Sequence, residues 1–89
     1  MGISLVVEAT PNPNSMKFTL NRVVSEKSVF LSSRQQAAGS PLAEKLFAIP
    51  GISAVFFLNN FVSITRVPNH PWETLVPKVR ETLEKHFSE

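Results

Sequence analysis

From Met16 the side chains alternate, with Met16, Phe18 and Leu20 apolar against Lys17, Thr19 and Asn21 polar. This is the period of two expected when one strand face packs on a core and the other meets water. Before it, the β-branched, apolar run from Ile3 to Ala9 predicts a first strand that stops near Thr10, because Pro11 and Pro13 have no N–H to donate to a ladder. Val29, Phe30 and Leu31 form a shorter apolar run that either continues the sheet or covers its edge. The polar, Gly-bearing SSRQQAAGS from Ser32 to Ser40 predicts a mobile loop.

Helical spacing takes over at Ser40-Pro41. A Ser oxygen can accept an orphan N–H at a helix start, and Pro at the first helical position sacrifices no bond. Leu42, Leu46, Phe47 and Ile49 then form one apolar stripe that ends at Pro50-Gly51. AVFFL and FVSIT flank Asn59-Asn60, whose residue type suits the left-handed angles of a two-residue hairpin turn. The last element starts around Asn69-His70-Pro71 and carries Trp72, Leu75, Val76, Val79 and Leu83 at helical spacing, with Phe87 extending the stripe. Pro77 falls inside this pattern, where an interior Pro costs ~3 kcal/mol. Either WETLV is one turn before a second helical start, or the helix bends there.

The order of elements, β-β-(β)-α-β-β-α, predicts an α+β two-layer sandwich: a mostly antiparallel sheet of about four strands, with two helices on one face and the other face partly solvated. With 89 residues and no internal repeat, residues 1–89 are expected to form a single domain.

Composition narrows the chemistry more than the fold. The absence of Cys removes disulfides, thiolate metal sites, cysteine-ligated iron–sulfur clusters and thiol nucleophiles together. All seven acidic residues are Glu, so a Ser-His-Asp relay lacks its third member. His70, Glu73 and His86 are the only imaginable hard-metal set, but His86 lies about 24 Å farther along a helix rising 1.5 Å per residue. The expectation is therefore no catalytic residue, no metal and no cofactor, and a chain that is not an enzyme. A formal charge of +2 is too slight to draw nucleic acid by itself. No apolar stretch approaches the ~18 residues of a membrane span. The N-terminal MGISLVVEAT lacks the basic region and cleavage site of a secretory signal and has no transit-peptide character, so a cytoplasmic chain is expected.

Three motifs stand in order along the chain: T-P-N-P-N-x-x-K-F from Thr10 to Phe18, L-F-x-I-x-G-I-x-x-V-F-F from Leu46 to Phe57, and W-x-x-L-x-P-x-V from Trp72 to Val79. As a set they resemble the N-terminal domain of Nfu-type (NifU-like) iron–sulfur scaffold proteins over almost the whole chain. The resemblance implies a compact α+β domain that, in full-length members, precedes a second domain whose Cys-x-x-Cys pair holds a cluster between protomers. No residue of this Cys-free chain can inherit that cluster-holding role. What the resemblance leaves is an accessory part in cluster assembly, contacting an iron–sulfur scaffold, a carrier or an apo-target.

Candidate binding residues follow from these readings. The opening motif is either a rigid polar loop presenting Asn12, Asn14 and Lys17, with amides that both donate and accept, or a turn whose Asn side chains bond nearby backbone. Trp72 is either an exposed interface anchor or the first core residue of the last helix. Phe56-Phe57 and Phe61-Val62 make the hairpin apolar on both faces, by burial on both sides or as a docking patch. Phe57 and its sheet face are the expected partner surface, with Lys17 and Arg66 as a weakly cationic rim. The rival reading is a binding module for anionic peptides or nucleic acid, using Lys17, Lys45, Arg66, Lys78 and Arg80.

Overall fold

The computed structural model describes residues 3 to 88. Five strands, β1 (Leu5–Ala9), β2 (Ser15–Leu20), β3 (Ser25–Leu31), β4 (Ile52–Asn59) and β5 (Phe61–Arg66), form one sheet with the helices α1 (Pro41–Phe47) and α2 (Trp72–Ser88). The sheet order is β1-β2-β5-β4-β3, antiparallel throughout. The sequence led to about four strands. The fifth is β3, whose charged half SEKS obscures the apolar VFL that pairs with β4 through Val29–Phe57, Phe30–Phe56 and Leu31–Val55. The five residues of β3 from Ser25 to Val29 span only three of β4, Asn59 to Phe57. Such a bulge lets an edge strand carry exposed Glu26 and Lys27 without losing its place in the sheet.

The β4–β5 hairpin inserts between β2 and β3, and residues 21 to 24 cross its tip. Leu20 N–H donates to the Asn60 carbonyl at 2.7 Å, Val24 N–H donates to the Asn59 carbonyl at 2.6 Å, and the Asn60 amide donates to the Leu20 carbonyl at 3.2 Å. Asn59 takes the expected left-handed angle, φ +52°, and is the one non-glycine residue to do so among the described residues. Asn60 instead uses its side chain to fasten the crossing segment.

The alternation within the strands decides what each face carries. Phe18, Val55, Val62 and Ile64 are fully buried, on the same face as Leu20 and Phe57, and pack with Leu42 and Leu46 of α1 and Leu75, Val79 and Leu83 of α2. Both helices therefore cover one sheet face. Leu75, Val79 and Leu83 are spaced by four, one stripe of a helix, while Trp72 and Val76 flank the core half-buried.

Two local expectations change. Ser40 stands at the N-cap of α1 with extended angles, but its hydroxyl makes no capping bond; its carbonyl accepts the Glu44 N–H at 2.9 Å, and Pro41 occupies the first turn. The helix closes at Ala48, a little before Pro50-Gly51. Residues 34 to 39 form hydrogen-bonded turns that bury Ala37 completely, and Arg34 donates to the Phe47 carbonyl at 2.9 Å. This is more order than the small polar residues of Ser32 to Ser40 suggested.

Pro77 lies inside one continuous helix. The partner its missing N–H would have served is the carbonyl of Glu73, in the exposed first turn where water can replace it.

Candidate binding face and the loop that braces it

Counting outward from the two-residue turn, Leu58 pairs with Phe61 and Phe57 with Val62. Since Val62 is core, Phe57 must be core as well; it is 4% exposed and lies under the helices. The predicted partner surface is thus shifted by one residue. The side chains on the uncovered face are Phe56 and Phe61, whose ring centres lie 5.9 Å apart at a 46° tilt. Phe30 extends this patch onto β3 opposite Phe56 and is 63% exposed, and Val6 on β1 is 59% exposed. The sequence held the signal that separates Phe56 from Phe57. FVSIT is apolar at Val62 and Ile64, and a two-residue turn transfers that parity to β4.

Lys17 belongs to this open face. Its Nζ stands 4.8 Å from the centre of the Phe61 ring, a cation–π placement. It is opposite Ser63 on one side and Glu8 on the other. Together these side chains make an apolar, aromatic band with one cation on it and a carboxylate beside it. Thr19 lies in the next row, between Val6 and Phe61, and its buried hydroxyl has no hydrogen-bond partner among the described residues.

Arg66 is not part of that rim. It points to the helical side, where Nη1 donates to the His70 carbonyl at 2.8 Å and the guanidinium lies 5.4 Å from the centre of the Trp72 ring. Its backbone N–H donates to the Asn14 carbonyl at 2.8 Å. Trp72 Nε1 in turn donates to the Pro13 carbonyl at 3.1 Å. The Pro-Asn loop, the end of β5 and the start of α2 are thereby interlocked.

Within the loop, Asn12 Oδ1 accepts the Asn14 N–H at 2.9 Å, and the Ser15 N–H donates to the Asn12 carbonyl at 3.0 Å. The Thr10 hydroxyl accepts the Asn12 N–H at 3.1 Å and lies 2.9 and 3.1 Å from the carbonyls of Asn12 and Ser15. Ser15 and Thr65 hydroxyls meet at 3.0 Å across the strands. This is the turn reading of the motif: the two prolines remove donors that would have no partner, and the Asn12 side chain supplies an acceptor for the tight reversal. Trp72 is a half-buried brace, between the anchor and core readings.

The other cations do not join Lys17. Lys45 is on α1, and Lys78 and Arg80 are on α2, so the sheet separates all three from the open face. Arg80 Nη2 reaches the Leu5 carbonyl at 3.4 Å. Among the described residues no group of three His, Cys, Asp or Glu gathers at metal-binding distance. The His70 ring packs against Gly51, and His86 lies near the end of α2, its Nδ1 3.3 Å from Lys45 Nζ.

Residues 5–89 match the family described as scaffold protein Nfu/NifU, N terminal. The chain belongs to this family. Among curated relatives, Nfu-type chains from two kingdoms align over most of it: NifU-like protein 4, mitochondrial, from Arabidopsis thaliana is 36% identical over 91% of this chain. The human NFU1 iron-sulfur cluster scaffold homolog, mitochondrial, is 36% identical over 89%. The alignments cover 29% and 32% of those two proteins, so the Nfu N-terminal domain spans about a third of their length. Among solved structures, the crystal structure of SAV1430 from Staphylococcus aureus superposes with a TM-score of 0.76 at 26% identity, covering 94% of this chain and 100% of that one. A NifU-like protein from Saccharomyces cerevisiae, solved by NMR, shares the fold with a TM-score of 0.86 at 22% identity, over 98% and 80% of the two chains.

Proposed function

We propose that this Nfu N-terminal domain is a non-catalytic interaction module of iron–sulfur cluster assembly. It does not hold a cluster; it contacts a cluster-holding scaffold domain, a carrier or an apo-target through its open sheet face. Family membership supports the association with cluster assembly, and the absence of Cys from these 89 residues supports the division of labour. The observation that carries the choice of surface is the aromatic band of Phe30, Phe56 and Phe61 with Lys17 over it, on the face that neither α1 nor α2 covers. A contiguous apolar patch edged by polar side chains is the usual mark of a docking site, and aromatic residues dominate the energetics of such sites.

The test is a titration of isotope-labelled domain with a Cys-x-x-Cys scaffold domain from the same source, followed by NMR. Shift changes centred on Lys17, Phe30, Phe56 and Phe61 are expected. No change at high concentration, or changes confined to α1 and α2, would refute the reading.

A further inference from the structure

Opposite the open face, the helical layer leaves a second feature that partner docking does not use. A cavity of about 380 Å³ opens between the start of β3, the start of α1 and the end of α2, lined by Val24, Val29, Leu42, Phe57 and Phe87 with Ser25, Ser40, Pro41 and His86. It lies within the ~300–1,000 Å³ range of small-molecule sites and is roughly two and a half times the ~150 Å³ that admits benzene. Its walls are mostly aliphatic and aromatic carbon. Phe57, which a surface role would have exposed, forms part of the wall.

Basic side chains stand at the border of the cavity. Two cations stand on residues that line it: Lys45 Nζ is 3.3 Å from His86 Nδ1, and the Arg22 guanidinium lies 5.6 Å from the Phe87 ring centre, with Nη1 donating to the Phe87 carbonyl at 2.9 Å. Among the described residues that line the cavity, none is acidic. Ser40 adds a hydroxyl that its own helix does not use as a cap. An apolar chamber with hydroxyl and cationic groups at its border suits a ligand that is aliphatic at one end and anionic at the other.

We propose that this cavity binds a small aliphatic carboxylate, with the hydrocarbon against Val24, Val29, Leu42 and Phe57 and the carboxylate toward Ser40, Lys45 and Arg22. Removal of the chain from water supplies the affinity, and the cations select the carboxylate over neutral or cationic chains of equal length. The site is separate from the open sheet face, so the proposal stands or falls independently of partner docking.

The experiment titrates heptanoate, heptanol and heptylamine in parallel into the isotope-labelled domain. Heptanoate is expected to give saturable shift changes at Val24, Val29, Leu42 and Phe57, with none at Phe30, Phe56 or Phe61, and to bind more tightly than heptanol, which binds more tightly than heptylamine. Lys45→Gln, an exposed change, should weaken heptanoate roughly two- to fivefold, the range of a solvent-exposed charge contact, and leave heptanol unchanged. Val24→Trp, placed in the half-buried wall, should abolish binding of both in a variant whose circular dichroism remains folded. Equal binding of all three probes would overturn the charge assignment. Shifts spread over the open sheet face, or the absence of saturation with heptanoate, would overturn the site.

Discussion

Trp72 Nε1 donates to the carbonyl of Pro13, 59 positions earlier in the chain, and the same indole receives the Arg66 guanidinium at its ring. One side chain thus joins the loop before β2, the end of β5 and the first turn of α2. Trp72→Ala should destabilise the domain by about 2 kcal/mol, below the ~3–5 of a fully buried Trp because Trp72 is only half-buried. Trp72→Phe keeps most of the packing but leaves the Pro13 carbonyl without its indole donor, and should cost about 1 kcal/mol. Urea denaturation of the two variants measures both, and a Trp72→Phe variant as stable as the wild type would show that the hydrogen bond contributes nothing.

Gly51 sits at φ +101°, and a Cβ built there would lie 2.5 Å from Cγ of His70 and 2.8 Å from its Cβ. Gly51→Ala therefore combines a left-handed angle with a clash, and a loss of about 1–3 kcal/mol is expected. In a His70→Ala background the ring is gone but its Cβ remains, so only part of the loss should be recovered. A double-mutant cycle by thermal unfolding shows whether the two residues are coupled.

Pro77→Ala should stabilise the protein, since it restores an N–H for the Glu73 carbonyl within a continuous helix. The gain should stay below the ~3 kcal/mol of a fully interior Pro, because water already serves the exposed first turn. A fall in melting temperature would mean that the ring shapes the helix in a way its neighbours depend on.

The exposed Phe30 and the buried Phe57 offer a sharp contrast. Phe30→Asp, on the open face beside Phe56, should leave stability within about 0.5 kcal/mol and abolish the proposed contact with a scaffold domain. Phe57→Asp would bury a carboxylate among Val29, Val55 and Val62 and should prevent folding. Circular dichroism separates the two before any binding is measured.

Glu81 and Lys85 form an i,i+4 pair at 2.8 Å on the exposed side of α2. The Lys85 ammonium, by hydrogen bond and charge, holds the Glu81 carboxyl below its ordinary range, and Glu81 raises Lys85 in return. A depressed carboxylate contributes above its unfolded pKa and loses that contribution as the pH falls through its folded value. NMR titration should find Glu81 lowered in the wild type and returned toward the ordinary value in Lys85→Gln, with little change in melting temperature at neutral pH.

The order of elements was legible because each rests on neighbours in sequence: Met16 to Leu20 alternates, Leu75, Val79 and Leu83 repeat every four, and Pro41 and Gly51 bracket α1. So was the absence of thiol chemistry, which is a matter of composition. What could not be read locally was decided by contacts between distant segments. The charged half of β3 becomes a strand because β4 offers it an edge, and Arg66 turns away from the open face to the helical side, where His70 and Trp72 take it. Phe57 goes inside while Phe56 and Phe61 stay out, because register along a sheet has a period of two and a shift of one residue exchanges its faces. Sequence alone determined which residues alternate; the pairing of β4 with β5, and the helices laid against one side, decided which half of the alternation meets water.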